Sequence, residues 1–140
     1  MDYIMEDVLS GELIPVLLGV SLEVSETAHR MYQRYGVVSH VFCNKVPLSL
    51  RLSLCMKFHI IRHTKDQRLM IQALNDFAEQ LGNKDVILYL IPCTEEYANL
   101  VWNMHEELES RFVIADRAQM YRVWFGEDAP ETLTPKEERI

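Results

Sequence analysis

Basic residues are scarce in this chain. Its 140 residues hold 14 Lys and Arg against 21 Asp and Glu, a formal net charge of -7. A protein that follows a phosphate backbone needs the opposite balance, so no nucleic-acid partner is expected. Cysteine is also scarce. Cys43, Cys55 and Cys93 are widely spaced, form no CxxC and are odd in number, which excludes a disulfide framework and suits reduced thiols in the cytoplasm. No apolar run nears the roughly 18 residues of a membrane span. The first ten residues carry three acids and no Lys or Arg, which is not the basic start of a signal peptide. A cytoplasmic protein without a membrane segment is expected.

What is present is a rhythm of apolar runs and amphipathic segments. Residues 1–11 read as a lead-in and 12–125 as one domain. Residues 126–140, acidic and carrying Pro130 and Pro135, read as a linker or tail. The run Leu13-Ile14-Pro15-Val16-Leu17-Leu18 is continuously apolar, as a strand covered on both faces of a parallel sheet must be. Pro15 cannot donate to a ladder, so it belongs near the start of that strand. Gly19 permits a turn, Ser21 can cap, and Val24, Ala28, Met31 and Tyr35 recur at helical spacing before Gly36.

Short strands are expected within residues 37–43 and 54–61, the second alternating as at a sheet edge. Thr64-Lys65-Asp66-Gln67 has the form of a capping box for a helix through Met70, Ala73, Leu74, Phe77 and Leu81, stopped by Gly82. The run 86–91 is the clearest buried strand. Thr94 then caps a helix with Tyr97, Val101, Met104 and Leu108 on one face, followed by a strand at 112–115 and a helix through Ala118, Met120, Tyr121 and Trp124. Strands alternating with helices imply parallel crossovers. The fold expected is α/β, a Rossmann-like three-layer sandwich with a mainly parallel five-stranded sheet and helices on both faces.

Most familiar chemistries lack their residues. The first turn reads Gly19-Val20-Ser21-Leu22-Glu23-Val24, with one glycine where a dinucleotide fingerprint has three, and Cys43-Asn44-Lys45 offers no acid for a ribose. There is no GxxxxGK[ST] and no acidic pair of a receiver domain. His29, His40, His59, His63 and His105 include no HExxH and read as surface or edge residues. Glu106, Glu107 and Glu109 read as a solvated helix face. Cys93, ahead of a helix, is the thiol best placed for activation, yet the sequence sets no histidine beside it. In open α/β sheets ligands bind beyond the carboxyl ends of the strands. Here that rim comprises Gly19, Val20 and Ser21, then Asn44 and Lys45, then Cys93 and Thr94. Ser21 and Thr94 can offer hydroxyls to a carboxylate or phosphate, or serve as plain helix caps.

Leu13-Ile14-Pro15-Val16-Leu17-Leu18-Gly19 and Ala28-His29-Arg30-Met31-Tyr32-Gln33-Arg34-Tyr35-Gly36-Val37 resemble the opening of carbamoyl-phosphate-synthase-like and D-aspartate-ligase-like ATP-grasp proteins. Val86-Ile87-Leu88-Tyr89-Leu90-Ile91-Pro92-Cys93 and Phe112-Val113-Ile114-Ala115 fall where the pre-ATP-grasp domain of that family has its fourth and fifth strands. Pro130-Glu131-Thr132 is similar to the P-x-T ahead of the grasp domain. The resemblance implies an N-terminal, substrate-side domain of an ATP-dependent carboxylate–amine ligase, not catalytic alone. It implies ATP and magnesium for the complete ligase, held mostly by a downstream grasp domain in cis or trans, and none in this chain. A homodimer is a further possible assembly. The alternative is a stand-alone Rossmann-like ligand-binding or protein-interaction module without enzymatic activity.

Overall fold

Strand β1 (Leu13–Leu18) lies at the centre of a five-stranded sheet whose order is β3-β2-β1-β4-β5, with every neighbouring pair parallel. The other strands are β2 (Ser39–Cys43), β3 (Met56–Ile60), β4 (Ile87–Pro92) and β5 (Val113–Ile114). The computed structural model describes residues 13–62, 66–81, 86–122 and 126. The lead-in, His63, Thr64, Gly82, Trp124 and nearly all of the tail lie outside them. The chain is thus a Rossmann-like α/β domain, and its sheet is wholly parallel. No helix among the described residues is long and apolar enough to cross a membrane.

The apolar run of β1 is continuous because both of its faces are covered. Leu13 and Leu17 join Val24, Ala28 and Met31 of helix α1 (Leu22–Tyr35) in one core layer. Val16 and Leu18 join the other layer, with Met70, Leu74 and Phe77 of helix α2 (Gln67–Gln80) and Leu100 and Val101 of helix α3 (Glu95–Asn103). Side chains alternate across a strand, so two layers from one run is what a central parallel strand requires. Pro15 is the third residue of β1. The amide of Gly19 donates to Phe42 of β2, so by alternation the missing amide of Pro15 faces β2 as well. The β1–β2 register begins one residue later, at Val16 opposite His40.

Helix α1 starts and stops where its sequence says. The hydroxyl of Ser21 accepts from the amide of Val24 at 3.3 Å, and Gly36, at φ 70, donates its amide to the carbonyl of Tyr32. Helix α2 begins later than the capping box implies. Its cap is Asp66, whose carboxylate accepts from the amide of Arg68 at 3.0 Å, an aspartate serving the role expected of a threonine. The third helix is also shorter than its apolar stripe suggests. It breaks at Met104, and the one-turn helix α4 (His105–Leu108) follows. At the break a ring nitrogen of His105 meets the carbonyl of Trp102 at 2.8 Å, engaging a carbonyl at the end of the helix. Leu108 still reaches the core.

Between β2 and β3 there is no crossover helix. A short 3-10 turn at Leu48–Leu50 takes its place, and Leu50, Cys55 and Phe58 cover that end of the sheet on the α1 side. Leu48, Leu52 and Leu54 of the same loop are exposed. The last helix among the described residues, α5 (Arg117–Met120), is one turn long. Tyr121 beyond it is buried, and its hydroxyl lies 3.2 Å from that of Thr27 in α1.

Candidate functional site

Strands β1 and β4 pair along six positions, from Leu13 opposite Ile87 to Leu18 opposite Pro92, so they end together. From that shared end α1 leaves toward one core layer and α3 toward the other. This is the topological switch point, where an open parallel sheet forms its binding crevice. Gly19, Val20 and Ser21 therefore meet Cys93 and Thr94 in space. The amide of Cys93 donates to the carbonyl of Leu18 at 2.8 Å, and the Ser21 hydroxyl donates to the carbonyl of Cys93 at 2.7 Å. Asn44 and Lys45 follow the neighbouring strand β2 and are exposed.

The crevice is partly filled by the chain itself. Gly19 adopts φ 92, and a Cβ placed on it would lie 2.7 Å from Thr94 Cγ2 and 2.7 Å from Tyr97 Cδ2. Tyr97 is 5% exposed and belongs to the core layer beneath. The single glycine of the turn thus serves close packing between strand, turn and the opposite helix, not approach to a pyrophosphate. Both rim hydroxyls act as caps, Ser21 for α1 and Thr94 for α3 through the amide of Tyr97 at 3.2 Å. Ser21 in addition ties the two turns together. The Cys93 thiol turns inward and donates to the carbonyl of Ile91 at 3.7 Å.

The charge at this rim is mostly negative. Glu23 occupies the first turn of α1, and Glu95 and Glu96 the first turn of α3, where acids stabilise the positive helix start. Acids in the first turn also offset the positive helix start that a triphosphate would use. Lys45 is the cation of the predicted rim.

The histidines divide into pairs that spacing alone did not reveal. His40 and His59, read as surface or edge residues, are half-buried on the α2 side of the sheet. His40 Nδ1 lies 2.9 Å from His59 Nε2, His59 stacks on Phe42 at 4.5 Å between centroids, and both rings meet Phe77. The parallel register sets His40 opposite Lys57 and Phe42 opposite His59, which brings the two histidines onto one face. Burial lowers both, and the neighbouring charges of His59 and Lys57 push His40 further, to about 4. His29, in contrast, is exposed on α1, with its Nδ1 3.8 Å from Cys55 Sγ. Among the described residues, no three His, Cys, Asp or Glu side chains converge as metal ligands.

A pH dependence follows from the His40 cluster. Its folded value lies below the usual histidine value of about 6.5, so the unfolded chain binds the proton first. Stability is complete above pH of about 6.5 and falls as pH drops toward 4. Because the ring keeps solvent on one side, the loss should be about 1–2 kcal/mol. Urea midpoints measured from pH 7 to 4 should show this slope, and His40→Gln should flatten it. Equal slopes in the two proteins would refute the assignment.

No model of a known protein family matches the chain, and no solved structure matches it. A curated protein does. The D-aspartate ligase of Enterococcus faecium (strain Aus0004) is 23% identical over 150 residues, an alignment taking in 97% of this chain and 36% of the ligase. The chain therefore spans about a third of the length of that relative. Fold and likeness together define a Rossmann-like domain similar to part of a ligase.

Proposed function

We propose that the chain is the N-terminal, substrate-side domain of an ATP-dependent carboxylate–amine ligase of the ATP-grasp type. The observation that carries this reading is the likeness to D-aspartate ligase along nearly the whole chain, on a fold whose switch point lies between β1 and β4. In such a reaction ATP converts a carboxylate to an acyl phosphate, and an amine displaces the phosphate.

The rim supports a place on the substrate side. Its helix starts already carry Glu23, Glu95 and Glu96, which suit a cationic amine better than a triphosphate. ATP and magnesium belong to a grasp domain joined to this one in cis or trans, and the isolated chain does not turn over ATP. The test is ADP release by the native protein that carries this domain, supplied with ATP, magnesium, an acid and an amine. D-aspartate, from the name of the relative, is the first acid to supply. Release that requires both acid and amine is expected. Absence of release with every acid and amine favours a stand-alone binding or interaction module.

A further inference from the structure

Charge is segregated along the chain. Residues 27–65 hold seven of its 14 Lys and Arg and none of its 21 Asp and Glu, so one stretch is basic within a protein of net charge -7. It includes the β2–β3 loop and the edge strand β3. Lys45, Arg51, Lys57 and Arg62 are exposed there, and no carboxylate among the described residues pairs with any of them. The same loop carries three apolar side chains in water. Backbone bonds from Leu50 to Pro47, Arg51 to Leu48 and Ser53 to Leu50 coil it in successive tight turns, and Leu50 packs against the α1-side core, which anchors it. Leu48, Leu52 and Leu54 are 79%, 92% and 82% exposed. Side chains that open touch little of their own domain, and an apolar cluster of this kind marks a contact surface.

We propose that the β2–β3 loop docks the protein on an anionic lipid surface, with Leu48, Leu52 and Leu54 entering the acyl boundary and Arg51 and the neighbouring cations meeting the headgroups. This is contact with a membrane face, not a crossing of it. Charge selects the sign of the partner. A second copy of this face would set the same cations against one another, whereas anionic headgroups attract each Lys or Arg near the surface. The acids elsewhere in the chain do not cancel that attraction, because charges more than about 8 Å away are screened at physiological salt. The side chains select the class of partner. A protein or single-stranded nucleic-acid contact is built chiefly on aromatic anchors, and the exposed residues between 44 and 62 include none. Exposed aliphatic side chains beside cations match a lipid boundary instead. The surface stands independently of the ligase reading.

The experiment is sedimentation of the native protein with vesicles of phosphatidylglycerol and phosphatidylcholine in equal parts, against vesicles of phosphatidylcholine alone. Binding to the anionic vesicles is expected at about 0.1 M salt, with at least tenfold weaker binding to the neutral ones and at about 1 M salt. Arg51→Glu should weaken binding about tenfold or more, since it removes one attraction and adds one repulsion. The double variant Leu52→Ser, Leu54→Ser should weaken it about tenfold at an unchanged melting temperature, because both side chains are exposed. Equal binding to the two kinds of vesicle, or binding that neither variant changes, would overturn the proposal. So would a failure to sediment with anionic vesicles at either salt concentration, which would leave the surface to an acidic face of another protein.

Discussion

Replacing Gly19 by alanine should lower stability by about 3–5 kcal/mol and the melting temperature by about 10 °C or more. Two costs add. Backbone at φ 92 is strained for any residue with a Cβ, and that Cβ meets Thr94 Cγ2 and Tyr97 Cδ2 at 2.7 Å each. Neither neighbour can easily yield. Thr94 holds the amide of Tyr97 with its hydroxyl, so turning its side chain sacrifices the cap of α3, while the Tyr97 ring is packed into the core. Gly36 provides the control. It too has positive φ, at 70, but nothing lies within 4 Å of its added Cβ, so Gly36→Ala should cost only about 1–2 kcal/mol. Chemical denaturation of both variants measures the difference. Equal losses would mean that the packing at Gly19 contributes nothing.

Tyr97→Ala is expected to be as damaging, with a loss of about 3–5 kcal/mol from the cavity left between β1 and α3. Its effect should not add to that of Gly19→Ala. Removing the ring gives the new methyl group room on one side, so the double variant should recover about 1–2 kcal/mol relative to the sum. A four-member cycle of denaturation midpoints decides it. Strict additivity would show that strand turn and helix are not coupled through this contact.

Much of the fold was legible because it follows from periods and punctuation. An unbroken apolar run such as 13–18 can only be a doubly covered strand or a buried helix segment, and the glycine and serine behind it settle the choice. Ser21, Gly36 and Thr94 mark helix ends by chemistry that acts within one turn. The features that were missed depend on distant partners. Asp66 and Thr64 are both good cap residue types, so the sequence alone does not choose between them. The break at Met104, where His105 meets the carbonyl of Trp102, is not encoded by an apolar stripe.

The site divides in the same way. Parallel topology brings Gly19, Ser21, Cys93 and Thr94 together once the strands are assigned, so their grouping could be read from the chain. Tyr97 filling the crevice could not, since it depends on how α3 is rotated over the turn. Gly19 was the available signal: a lone glycine in a strand-to-helix turn marks a close approach, but not of what. The pairs His40–His59 and His29–Cys55 arise from the register of β2 on β3 and from the loop that replaces a helix. Neither leaves a trace in sequence spacing.

The central claim, that this domain serves a ligase working through an acyl phosphate, is tested most directly by following oxygen. The native protein carrying the domain is given ATP, magnesium, an amine and the acid that supports ADP release, with heavy oxygen in the acid's carboxyl group. Displacement of an acyl phosphate leaves one carboxyl oxygen on the released phosphate. The account predicts one heavy oxygen in phosphate per amide formed. Amide formation with unlabelled phosphate would contradict it.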